Sequence, residues 1–151
     1  TKYSIQLTNL REILLQNPDL PICDPPLKAG SGGFHNYWLN DKNAWIVAEI
    51  TKAGAVFVEL SSKNFNDDFS IRLLKQAARE LLLSESSDWS FILKAGTTTE
   101  LAKERIDRHL FRFWKLIEML ENKSFIDYKF LKNIEEEDKI FPNIRIQDWQ
   151  L

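Results

Sequence analysis

The chain has 151 residues, 44% of them apolar and 28% charged, a balance that fits one globular domain with a real core. A formal net charge of −2 and a pI near 5.7 exclude a strong electrostatic pull towards nucleic acid or an anionic membrane. A single cysteine, Cys23, excludes an internal disulfide. With His35 and His109 as the sole histidines, neither a metal cage nor any other cofactor is expected. No apolar run nears the ~20 residues that span a bilayer, and no signal peptide precedes Thr1, so a soluble, cytoplasmic protein is the expectation. A first residue other than Met fits a trimmed piece of a longer protein.

In chain order, Thr8 is placed to cap a short helix over Leu10-Arg-Glu-Ile-Leu-Leu15 that ends near Asn17-Pro18. From there to about Asn40 the chain carries Pro18, Pro21, Pro25, Pro26, Gly30, Gly32 and Gly33, a density that excludes a regular element and predicts a loop. The uneven distribution of Pro and Gly puts a boundary near residue 30. Between Asp41 and Ser62, Ile46, Ile50, Ala53, Phe57 and Leu60 fall on one helical stripe, against which Gly54 and the run Ala55-Val-Phe-Val58 pull towards strand. Ile71, Leu74, Ala78 and Leu81 predict a helix over Asp67 to Ser84.

Thr97-Thr-Thr-Glu100 has the spacing of a capping box, opening the longest helix, to about Asn122. Ile106, Leu110, Phe113, Ile117 and Leu120 line one of its faces, and Phe111 and Trp114 widen the stripe, which puts this helix at the centre of the bundle. A second box, Ser124 to Asp127, predicts a last helix through Leu131 and Ile134 into the acidic run Glu135 to Asp138, with Pro142 as its stop. The sum is an all-α protein: a bundle of about five helices preceded by a Pro/Gly-rich loop.

Few residues carry obvious chemistry. Glycoside cleavage by paired carboxyls needs an acid on each side of the scissile bond, and none of the acidic residues forms such a pair in a pocket-like context. Glu135 to Asp138 reads as a solvated helix end, and Asp67-Asp68 as acids favoured by a helix N-terminus. Gly30 to Gly33 lacks the lysine and spacing of a phosphate loop, and no Gly-x-Ser-x-Gly elbow occurs. Arg105, Arg108, Arg112 and Lys115 make a basic stripe, but acids on the same helix mark it as ion-paired surface, and His109 within it reads as a surface or core histidine. The segment Gly32 to Asn40 stands apart, because aromatic rings interleaved with amide and imidazole groups suit the apolar faces and hydroxyls of sugars. Phe34, Tyr37 and Trp38 could equally plug the bundle end.

Gly-Gly-Phe-His35-x-x-Trp38-Leu-Asn followed by Asn43-Ala-Trp-Ile46 resembles family 57 α-glucan branching enzymes of the glycoside hydrolases. Ala78-Arg-Glu-Leu-Leu-Leu, Ser86-Ser-Asp-Trp89, Arg105-x-x-x-His109-x-x-Arg112-Phe113 and Asp138-Lys-Ile-Phe-Pro-Asn143 resemble the same family in order and spacing, from about Gly32 to Asn143. The resemblance implies a helical C-terminal domain that packs on an upstream (β/α)-type barrel holding the catalytic carboxylates. It implies residues 1–31 as a connector from that barrel and 32–151 as the bundle, with no catalytic residue and no metal ligand in this chain. It also implies an α-glucan substrate contacted by Trp38, His35, Asp88 and Trp89, and a parent that is a retaining transferase or hydrolase. Ala29 and Ser31 depart from the family's Trp-Gly-Glu-Gly-Gly, which removes a stacking ring and an acid. That departure motivates an alternative, a non-catalytic protein-interaction domain of a divergent paralogue. A bundle parted from its barrel would expose an apolar face and self-associate weakly.

Overall fold

The computed structural model describes residues 9–21, 37–123 and 125–150. Most of the Pro/Gly-rich loop, including Cys23, Ala29 to Gly33 and His35, lies outside them, as do Thr8 and Ser124. Six α-helices run α1 Leu10–Gln16, α2 Ala44–Ser61, α3 Asp68–Ser84, α4 Ser87–Ala95, α5 Thr99–Glu121 and α6 Tyr128–Glu137, closed by a 3-10 helix over Ile146–Trp149. Among the described residues there is no strand, and no helix is long and apolar enough to cross a membrane.

The core is the long pair α3 and α5, with α2 laid across both, α4 against α5 and the 3-10 helix against α2 and α3. Leu73, Leu74, Ala77, Ala78 and Leu81 of α3 are buried, as are Ala102, Ile106, Phe113, Leu116, Ile117 and Leu120 of α5. The small side chains of Ala77, Ala78 and Ala102 allow close packing, since interaxial distance follows the side chains at the contact. Phe57 of α2, fully buried, sits between Phe113 (6.3 Å between centroids) and Trp149 (5.3 Å, edge-on). Removing a ring so enclosed costs about 3–5 kcal/mol, lost transfer energy plus the cavity left behind.

The α2 stripe from Ile46 to Leu60 is the buried face of one unbroken helix, so its strand-like run is overridden by packing. A Cβ at Gly54 would meet nothing within 4 Å, and the helix passes through that position without distortion. Helix starts differ from expectation. Asn9, not Thr8, is the N-cap of α1, its side chain accepting from the Glu12 amide at 3.1 Å. The Thr97 box does not form: Gly96 ends α4 at φ 79 and Thr98 enters α5 at φ 44, with no side-chain cap. A box needs an extended cap residue, and this tight α4–α5 reversal holds the backbone left-handed instead. For α6, Asp127 is itself the N-cap, accepting from the Phe130 amide at 2.9 Å, so the helix begins after the anticipated box rather than inside it. Its end is Glu137, well before Pro142, because Asp138 is drawn away into the core contact described below. Asp67 caps α3 as anticipated; the Ser70 amide and hydroxyl and then Lys123 pull its pKa down to about 2.

Phe111 does not widen the buried stripe. It is 63% exposed, edge-on to Phe130, because its arc of α5 faces only α6. Trp114, on the α2 side, is half-buried against Phe113 with Lys52 over its ring.

Candidate functional site

Two constellations concentrate the polar chemistry of the described residues. At the start of α2 the chain makes a turn over residues 37–43 that is held from inside by Asn43, a fully buried amide. Its Oδ1 accepts from the Asn40 amide at 2.8 Å, and its Nδ2 donates to the carbonyls of Tyr37 at 2.9 Å and Ser90 at 3.2 Å. One side chain thus ties the turn both to itself and to α4. The ring of Tyr37 stacks on Phe91 of α4 with centroids 5.1 Å apart, and Trp38 stands edge-on to Tyr37 at 6.2 Å. The result is an aromatic shelf, with Trp38 40% and Phe91 47% exposed. Beneath Trp38 a cavity of about 260 Å³ is lined by Ile46, Val47, Ile50 and Thr51 of α2 and by Glu85, Ser86, Ser87 and Ser90.

Of the residues singled out by sequence, Trp38 lies on this shelf and His35 lies outside the described residues. Asp88, in the first turn of α4, is exposed and accepts from the Ser86 hydroxyl at 3.3 Å. It is not the cap of α4, a position held by Ser86. Trp89 is half-buried against the core, its indole N–H donating to the Leu83 carbonyl at 2.9 Å. Glu85 was not legible as a site residue. The residue is exposed, and the protein packed around its carboxyl pushes that group above the usual range. The available signal was an acid among serines at the end of α3, which by itself reads as a helix terminus. This cavity carries one carboxylate, where glycoside cleavage by paired carboxyls needs two.

The second constellation is a buried ionic hub. His109 Nδ1 and Glu80 Oε2 are 2.8 Å apart, with the Glu80 side chain completely enclosed and its other oxygen accepting from Gln76 Nε2 at 2.8 Å. Arg112 donates to Asp138 at 2.5 Å and to Glu137, and Asp138 lies 4.0 Å from His109. Arg79 extends the hub, donating to the Gln76 amide oxygen at 3.0 Å and the Ile140 carbonyl at 2.9 Å. Burial pushes the Glu80 carboxyl up, against the lowering effect of His109 and Gln76. Glu80, His109 and Asp138 present possible ligand atoms within 4.8 Å of one another, but Arg112 already supplies the positive charge at that point.

The hub corrects two expectations. The acidic run is not merely a solvated helix end: Glu135 takes a two-pronged bond from Arg72 (2.7 and 2.5 Å), while Glu137 and Asp138 hold Arg112. Within the basic stripe, Arg112 is 9% exposed rather than surface, whereas Arg108 pairs with Glu104 of the same helix as anticipated, and Lys115 reaches across to Asp127 at the start of α6.

The described residues thus form an all-α bundle with an aromatic shelf, and one carboxylate beside it. A family model described as "1,4-alpha-glucan branching enzyme, C-terminal" matches residues 49–149, and the chain belongs to that family. It is 34% identical over 116 residues to a 1,4-alpha-glucan branching enzyme of Thermococcus kodakarensis, a match covering 74% of this chain and 17% of that protein. Among solved structures, the GH57-type branching enzyme of Pyrococcus horikoshii aligns with TM-score 0.73 and 36% identity, over 80% of this chain and 23% of that one. The GH57 branching enzyme of T. kodakaraensis, in complex with glucose and additives, aligns with TM-score 0.75 and 30% identity, over 81% and 23%. The α-amylase AmyC of Thermotoga maritima gives 0.65 and 33%, over 74% and 22%. The chain thus spans less than a quarter of the length of each of these relatives.

Proposed function

We propose that this chain is the C-terminal bundle of a larger, cytoplasmic α-glucan-active enzyme, most simply a retaining 1,4-α-glucan branching enzyme of glycogen or starch metabolism. In this reading residues 1–31 lead from a barrel that holds both catalytic carboxylates, and residues 32–151 form the bundle packed on it. The chain has no turnover alone. Its task is to complete the glucan cleft, with Trp38 stacking on a glucose ring and His35, Asp88 and Trp89 near the same chain of sugars. Hydrolysis or 4-α-glucanotransfer by the parent would use the same surface.

The observation that carries this reading is the Trp38 shelf. An exposed indole on a turn tied down by Asn43, above a cavity lined by Ile46, Val47 and Ile50 as well as by serine hydroxyls, a threonine and one carboxyl, suits the apolar face and the hydroxyls of a pyranose. Titration of the chain with maltoheptaose, followed by tryptophan fluorescence, tests it. Saturable binding is expected, weakened about tenfold in Trp38→Ala, which corresponds to roughly 1.4 kcal/mol. Equal binding by both proteins would remove the glucan role from this shelf.

The exposure of Trp38, Leu39, Val47 and Phe91 at one end of the bundle also supports a second reading, a domain that docks protein rather than sugar. Under that reading maltoheptaose leaves the fluorescence unchanged. Both readings leave apolar surface open on the isolated chain, so light scattering is expected to show weak, concentration-dependent self-association.

A further inference from the structure

At the opposite side of the bundle from the Trp38 shelf's cavity lies another, of about 220 Å³, between the α2–α3 turn, the middle of α3 and the closing 3-10 helix. Its floor is apolar, formed by Phe65, Ile71, Leu74 and Ile146. Its rim carries Lys63, Lys75 and Arg145 together with the amides of Asn64, Gln147 and Gln150, and no acidic residue is among its lining. We propose that this cavity binds a small organic phosphate monoester, the phosphate meeting the three cations and the carbon body resting on the apolar floor. The proposal is independent of the glucan reading.

Charge is the first argument. Three cations line this cavity in a protein whose formal net charge is −2, so the rim runs against the overall sign of the molecule. Two of the three have weak outside partners: Lys63 pairs with Glu59 and Arg145 with Asp148, all four side chains about half exposed or more. Such exposed pairs are weakly held and yield readily to a dianion. Lys75 enters no ion pair among the described residues. It also borders a shallower opening that contains Asp68 and Glu135, but both oxygens of Glu135 are taken by Arg72.

Rigidity is the second argument. The wall on the 3-10 side is fixed to α2 by Gln150 Nε2 donating to the Ser61 carbonyl at 2.7 Å and by the Ser61 hydroxyl donating to the Trp149 carbonyl at 3.3 Å. Trp149 is in turn edge-on to buried Phe57. The 3-10 wall that carries Arg145 and Gln147 is therefore pinned, which spares a ligand the ordering of that stretch of backbone. Finally, the mixed lining selects: bare sugar lacks the charge for the rim, and inorganic phosphate lacks the carbon body for the floor. A phosphate near neutral pH carries close to two negative charges and favours several convergent donors.

The test is a titration of the chain with glucose 6-phosphate, inorganic phosphate and glucose, followed by amide chemical shifts around Lys63, Lys75 and Gln147. Glucose 6-phosphate is expected to saturate these shifts, inorganic phosphate to do so more weakly, and glucose not at all. Lys75→Ala and Arg145→Ala should each weaken glucose 6-phosphate binding about tenfold, while Lys103→Ala, an exposed position on α5, leaves it unchanged. Equal saturation by both phosphates would retain the phosphate site and remove the role of the floor. Glucose binding as well as its phosphate, an equal loss in Lys103→Ala, or no saturable shift with either phosphate would overturn the proposal.

Discussion

The Trp38 shelf and the Glu80–His109–Arg112 hub are built on opposite principles. On the shelf, rings are left in water and one buried amide, Asn43, keeps them in place. In the hub, charges are withdrawn from water and each is matched by a neighbour. Leaving large apolar rings exposed sacrifices burial and is retained where something else covers them. Enclosing charges is expensive unless each is paired. The difference separates a surface left open to its surroundings from a cluster that holds the bundle together.

Breaking the hub should have the largest effect. Arg112→Ala leaves Glu80 and Asp138 enclosed without their cation, and is expected to destabilise the fold by about 3–5 kcal/mol in urea titration. The deficit should grow with pH. Without Arg112 the Glu80 carboxyl, already pushed up by burial, rises further, so the folded state takes up more protons, and stability falls as pH rises through that window. A deficit that shrinks from acid towards neutral pH would show that the hub is not an ionic lock.

Asn43→Ala addresses the shelf from beneath. It strips partners from the Asn40 amide and the Tyr37 and Ser90 carbonyls, and should lower stability by about 1–3 kcal/mol. It should also reduce maltoheptaose binding although it does not reach the cavity surface. Retained affinity would mean that the shelf needs no fixed geometry. Trp38→Ala is the smallest in stability, within about 0.5 kcal/mol, while its effect is felt in sugar binding; a large loss of stability would turn the shelf into core.

Much of this architecture was legible in the chain. The stripes Ile46 to Leu60, Ile71 to Leu81 and Ile106 to Leu120 mark the buried faces of α2, α3 and α5, because helical periodicity is a local property that burial then reinforces. The caps were less so. Thr97 and Ser124 have the right spacing for boxes, but a box requires a backbone angle that the α4–α5 reversal does not supply, and α6 relies on Asp127 alone. The hub was invisible as a unit, since Glu80, His109 and Asp138 come from three separate segments and nothing local announces their meeting. Each segment stood out in the resemblance to branching enzymes, and the structure gives at least part of that pattern a packing role. At the candidate sugar site Trp38 was legible through its aromatic neighbours. Glu85 was not, because its place beside Trp38 depends on how α3 ends against α2.

Order of synthesis gives the closing segment a further meaning. Asp138, Ile140, Ile146 and Trp149 are all translated after α5, yet they complete the charge balance around Arg112, engage Arg79 and cover Phe57. A nascent chain that has released only α2 to α5 holds Arg112 without either of its acids and Phe57 without its lid. Bundle completion therefore waits on this segment, and a chain that ends at Glu137 would hold an unfinished core.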